Sequence, residues 1–92
     1  MNTLFLLMAQ YNGRAVIPAD VVCRDYFPHL TPEKFVRKVG AGEIPLPLMR
    51  AEASQKSARG VHVQDLAAYL DGRRAAAHRE AIAFAEIRVT TT

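Results

Sequence analysis

The chain has 92 residues, of which 50% are hydrophobic and 23% charged, a composition that suits one small folded domain with a modest core and excludes a disordered chain. Lysine and arginine number 12 against 9 aspartate and glutamate, giving a net charge of +3 and a pI of about 9.4. That balance favours an anionic partner.

The N-terminal run Thr3-Leu4-Phe5-Leu6-Leu7-Met8-Ala9 is apolar. It is too short to span a bilayer and lacks the basic segment of a secretion signal. It predicts a buried helix capped by Asn2 or Thr3, in a cytoplasmic protein. Asn12-Gly13 marks a turn. Ala15-Val16-Ile17 leads into Pro18, which disfavours helix before it and opens one after it. Ala19 to Tyr26 therefore reads as a second helix, with Ala19, Val22 and Tyr26 on one face. Cys23 is the only cysteine, so no intramolecular disulfide can form, and its place on this helix predicts a packed thiol rather than a nucleophile. Phe27-Pro28-His29 ends the helix.

Leu30 to Ala41 carries the densest set of local signals. Thr31 is a good N-cap, and Pro32 falls at the first helical position, where a missing N–H costs nothing. Leu30 and Phe35 have the spacing of a hydrophobic staple, and Gly42 supplies a stop. Phe35, Val36 and Val39 form an inward face. Lys34, Arg37, Lys38 and Ala41 recur on the opposite face, and a basic helix of this size fits a DNA major groove. Two short helices joined tightly, the second basic, form a helix-turn-helix arrangement. A solvated surface is the bland alternative for such a face.

The period then changes. Pro45 and Pro47 alternate in Gly42-Glu43-Ile44-Pro45-Leu46-Pro47, which forbids helix and predicts an extended segment. Leu46, Leu48 and Arg50 lie on one side of it, and Pro47, Met49 and Ala51 on the other. Glu52 to Ser57 reads as a loop, and Lys56 to Val63 as a return strand. The pair makes a β-hairpin carrying Arg50, Lys56 and Arg59, the wing of a winged helix, whose cations grip phosphate and give affinity more than sequence choice.

Gln64 opens the last helix, with Asp65 suiting its dipole and Leu66, Tyr69 and Leu70 facing the core. Asp71-Gly72-Arg73-Arg74 either breaks this helix or is carried within it. Ala75 to Ile87 is alanine-rich, and Ala77, Ala81 and Phe84 extend the stripe of Leu66 and Leu70. This arm packs against another subunit or folds back on its own domain; Thr90-Thr91-Thr92 frays. Catalytic groupings are lacking. His29, His62 and His78 have no paired ligand spacing, and Gly40-Ala41-Gly42 is not followed by Lys-Ser/Thr, so neither an enzyme nor a bound metal or cofactor is expected.

Together, Val16-Ile17-Pro18, Asp25-Tyr26-Phe27, Leu30-Thr31, Phe35 to Val39, Ala41-Gly42-Glu43-Ile44-Pro45-Leu46-Pro47 and Val63-Gln64-Asp65-Leu66-Ala67-Ala68-Tyr69-Leu70 resemble the pyocin activator (PrtN-like) family of phage-related bacterial transcription activators. The order of elements is more distantly similar to AlpA and excisionase regulators and to MerR-type winged helices. Gly40 inside the basic helix departs from a good helix former.

The elements read from the residues predict a mainly α fold with a small β-hairpin, in which residues 1–74 form a winged helix-turn-helix DNA-binding domain and residues 75–92, beyond the resemblance, an alanine-rich C-terminal helical arm and frayed tail. The resemblance implies an activator of bacteriocin or phage-tail-like gene clusters, switched on in a DNA-damage response. In this reading the recognition helix 31–41 places Lys34, Arg37 and Lys38 in the major groove, with Arg37 bidentate to guanine. Thr31 and the helix N-terminus hold a phosphate, while Arg50, Lys56 and Arg59 grip the backbone from the wing 48–61. A module this small calls for a homodimer or higher oligomer on repeated half-sites, with promoter DNA and RNA polymerase as further partners. Two other readings remain open: an excisionase-like DNA-bending factor, and a protein-binding adaptor without DNA affinity.

Overall fold

The computed structural model describes residues 2–50, 52 and 58–90, with side chains through residue 87. These residues form α1 (Thr3–Gln10), β1 (Val16–Pro18), α2 (Ala19–Tyr26), α3 (Pro32–Gly40), β2 (Met49–Arg50), β3 (Arg59–His62) and α4 (Val63–Thr90). The fold is mainly helical, with one small antiparallel sheet in the order β1-β3-β2.

Asn2 caps α1, its side-chain oxygen accepting the Phe5 N–H at 2.8 Å. The helix ends at the Asn12-Gly13 turn. There Asn12 takes φ +56° and the Gly13 N–H closes onto the Met8 carbonyl at 2.7 Å. The expectation of a buried helix holds for one face only. Leu7 is buried and Leu4 packs beside the core, but Phe5 is 61% exposed and Leu6 and Met8 are also exposed. An eight-residue helix that is apolar all round can turn only one side to its neighbour, and here that neighbour is α4.

β1 differs from the sequence expectation, which treated Ala15 to Ile17 only as a lead into α2. Its three residues end in a proline and show no alternation long enough to identify a strand. The strand exists because β3 offers a partner: Ile17 lies opposite Val61, and both are fully buried. Gly60 permits the approach. A Cβ there would stand 2.6 Å from a Val16 methyl and 3.2 Å from the Ile17 carbonyl oxygen.

The return strand is shorter than expected. Val63 is the first residue of α4, and its N–H is accepted by the Ala15 carbonyl at 2.8 Å. His62 Nδ1 accepts the Gln64 N–H at 3.1 Å, satisfying another donor at the start of α4. α4 runs unbroken through Gly72, so that residue is carried within the helix. Its propensity cost of about 1 kcal/mol is small against the helix-forming alanines on its C-terminal side. Residues 77–87 are all exposed, including Ala77, Ala81 and Phe84, so the arm is not folded back on the body.

Ile17, Val22, Phe35, Val61 and Leu66 form the fully buried centre. Phe27, at the end of α2, joins three elements: its ring lies 4.9 Å from Phe35 on α3 and 5.8 Å from Tyr69 on α4. The Cys23 thiol is packed as expected and donates to the Phe27 and Leu30 carbonyls at 3.6 and 3.3 Å. Burial pushes its pKa up, away from nucleophilic use. No described helix is long and apolar enough to cross a membrane.

Candidate nucleic-acid interface

α3 is defined at both ends by its own sequence. The Thr31 hydroxyl accepts the Lys34 N–H at 3.2 Å, and Pro32 opens the helix. At the other end Gly42 takes φ +79°, a conformation that favours glycine. The Gly42 N–H reaches the Val39 carbonyl at 3.1 Å, and the Glu43 N–H reaches the Lys38 carbonyl at 3.0 Å. This paired closure terminates the helix after Gly40.

The two faces are those the sequence predicts. Phe35 is fully buried, and Val36 and Val39 pack against the core. Lys34 and Arg37 are exposed and Lys38 is half-exposed. Arg37 and Lys38 lie in the last turn, where cations complement the helix dipole. The cations are thus held by a helix that is anchored by one aromatic ring and closed at both ends.

The turn before α3 is equally constrained. The Leu30 N–H is accepted by the Phe27 carbonyl at 3.0 Å, closing a four-residue turn with Pro28 at its second position. α2 is tied to α1 by a hydrogen bond from Tyr11 Oη to Asp25 at 2.7 Å, and Tyr26 Oη donates to Gln10 at 2.8 Å. The Tyr11 hydroxyl and then Arg24 hold the Asp25 carboxyl below the usual carboxylate range. Burial, followed by the Asp25 hydrogen bond, pushes the Tyr11 phenol well above its ordinary value.

Tyr11→Phe is therefore expected to lower stability by about 1–2 kcal/mol near neutral pH. The Asp25 contribution is fully present above the unfolded carboxylate pKa of about 4 and is lost as pH falls through the lower folded value. The difference between wild type and Tyr11→Phe should shrink below that point. Urea unfolding across an acid series checks this, and a difference independent of pH would speak against it.

The Pro-x-Pro segment brings the hairpin to α3. Ile44 and Leu46 are buried and Leu48 is half-buried, while Pro45, Pro47 and Met49 are exposed, so the alternation expected of an extended chain is present. β2 itself is only Met49–Arg50. Arg50 and Arg59 are direct cross-strand partners. Like charges opposite one another are destabilising unless an anion lies between them. Arg59 is exposed, whereas Arg50 is half-buried. Arg50 Nε is shielded from solvent and has no hydrogen-bond partner among the described residues.

The two arginines share a groove of about 260 Å³ with Val36, Val39 and Gly40 of α3 and with Leu48. Sequence reading missed these wall residues, whose only signal was their position on the flank of an amphipathic helix. Thr31 and Lys34 lie at the opposite end of α3 from this groove. Lys56 lies outside the described residues. The histidines are dispersed. His29 is 6.4 Å from the Phe27 ring, His62 caps α4, and His78 lies near Asp71 and Arg74. Among the described residues, no group of three or more His, Cys, Asp or Glu side chains could hold a metal ion.

Residues 3–77 match the model of a family described as pyocin activator protein PrtN. No curated protein and no solved structure matches the chain.

Proposed function

Since the chain belongs to the pyocin activator family, a family of regulators rather than enzymes, we infer that it activates pyocin genes by binding promoter DNA in a sequence-specific manner. One observation carries this reading: the cross-strand arginine pair of β2 and β3 lines a groove against the Val36–Gly40 flank of α3, the helix whose outer face carries Lys34, Arg37 and Lys38. In this reading α2 and α3 are a helix-turn-helix and the hairpin is its wing, within a DNA-binding unit of residues 1–74. α3 enters the major groove, where Lys34, Arg37 and Lys38 meet base edges and phosphates. Phosphate occupies the wing, relieving the repulsion between Arg50 and Arg59. The Thr31 oxygen already accepts the Lys34 N–H, and its O–H can still donate to a further phosphate at the helix N-terminus.

Mobility shift on promoter fragments from a pyocin cluster, at two salt concentrations and against random competitor, tests the reading. Salt-sensitive binding that survives competitor is expected. Absence of binding at low salt would leave the cationic face merely solvated. A reporter assay separates activation from architectural bending, because only an activator raises transcription. Lys56→Ala is expected to weaken binding to all sequences alike and to reduce the slope of log affinity against log salt by about one. A changed sequence preference would count against a backbone role for Lys56.

A further inference from the structure

α4 carries a second groove, on the side away from the core. It measures about 420 Å³ and lies between the Pro45–Pro47 segment and the outer face of the helix. Its floor is made of small residues at successive turns, Ala68, Gly72 and Ala76, and Tyr69, Arg73 and Arg79 rise beside them. Small residues at every turn let another helix approach closely.

The same helical face continues into the projecting arm. Gly72, Ala76, Ala83 and Ile87 follow one another at spacings of 4, 7 and 4. Ile87 is 56% exposed. Glu80 flanks this face on the side of Arg73, seven residues on, and Glu86 flanks it on the side of Arg79. Apart from Asp65 at one end, the groove therefore holds small residues with Tyr69, Arg73 and Arg79 beside them, and the arm beyond it presents a larger apolar residue with acidic neighbours.

We propose that the groove is filled by the arm of a second copy of this chain, running antiparallel, so that each copy fills the other's groove. In an antiparallel pair a side chain enters the hole formed by residues i, i+3, i+4 and i+7 of the facing helix. One register satisfies the whole face. Ile87 of the second copy enters between Asp65, Ala68, Tyr69 and Gly72. Ala83 of the second copy then seats over Tyr69, Gly72, Arg73 and Ala76. At the twofold axis Ala76 of the second copy faces Ala76 and Ala83.

The twofold axis sets each flank of the helix beside the same flank of its partner. Arg73 is thereby brought next to Glu80 of the second copy, and this pair occurs twice. On the other flank the two Arg79 side chains meet near the axis, a repulsion that they relieve by turning to solvent. The partner is thus a second copy because the chain's own arm supplies the apolar side chain at the right spacing and an acidic partner for Arg73. Self-association through this face needs no DNA and is measured without it.

Sedimentation of the full chain across a dilution series measures the dimer directly. A Cβ at Gly72 meets nothing within 4 Å in the single chain, so Gly72→Leu leaves the fold intact. It should weaken the dimer by about tenfold or more by filling the site of Ile87. Arg73→Glu and Glu80→Arg should each weaken self-association, and mixing the two variants should give a heterodimer that forms better than either homodimer. Arg79→Ala should tighten the dimer. A wild-type chain that stays monomeric throughout would overturn the proposal. So would a dimer indifferent to Gly72→Leu, or a mixture that gains nothing.

Discussion

Phe35→Ala is expected to cost about 3–5 kcal/mol of folding stability. Phe35 is fully buried and stacks on Phe27, and its ring is the anchor of α3. A small domain holds only about 5–15 kcal/mol in all, so this one truncation removes much of the margin. The loss has two parts. Burial of the ring is forfeited, and the cavity left between α2 and α3 cannot collapse, because the Phe27–Leu30 turn and the caps of α3 fix both helices. Phe35→Leu, which keeps most of the volume, should cost far less. Urea unfolding monitored by far-UV circular dichroism measures both. Equal midpoints for wild type and Phe35→Ala would show that α3 is not held by this ring. A variant that remains folded but gives a molten α3 should also lose DNA binding, since the cations would no longer be presented together.

Arg37→Ala tests the proposed function where its effect should be greatest. The side chain is exposed in the last turn of α3, so removing it should leave the unfolding midpoint nearly unchanged. Specific affinity should fall by about 1–3 kcal/mol, roughly 5- to 150-fold, if Arg37 makes a bidentate contact to guanine. Affinity for random DNA should fall much less, because that binding rests on phosphate contacts spread over several cations. Lys34→Ala and Lys38→Ala serve as comparisons on the same face. An unchanged affinity for the promoter fragment in the Arg37 variant would remove this residue from base recognition. An equal loss on promoter and random DNA would reassign it to the phosphate backbone.

The candidate interface was legible in the sequence to the extent that its determinants are local. Thr31, Pro32, Phe35 and Gly42 act within a few residues of one another, and α3 begins and ends where they place it. The charge difference between its faces follows from helical spacing alone. The hairpin was legible because Pro45 and Pro47 forbid helix and the residues from Ile44 to Met49 alternate. Other features depended on partners distant in the chain. β1 is a strand only because Val61 stands opposite Ile17, and the Arg50–Arg59 pairing is a matter of register that no neighbouring residue specifies. The reading of α1 as buried went too far because apolar content states a preference for burial and not the number of faces that find a neighbour.

By itself the sequence determined the helices, their caps, the basic face of α3 and membership of the pyocin activator family, since each of these rests on residue identity and short-range spacing. Tertiary structure alone decided which apolar residues are covered, which two arginines are paired beside a groove, and that α4 leaves the body as an exposed arm. The physical reason is the same throughout. Caps and helical faces are settled by groups within about one helical turn, whereas burial, strand register and grooves arise only when segments far apart in the chain are brought into contact.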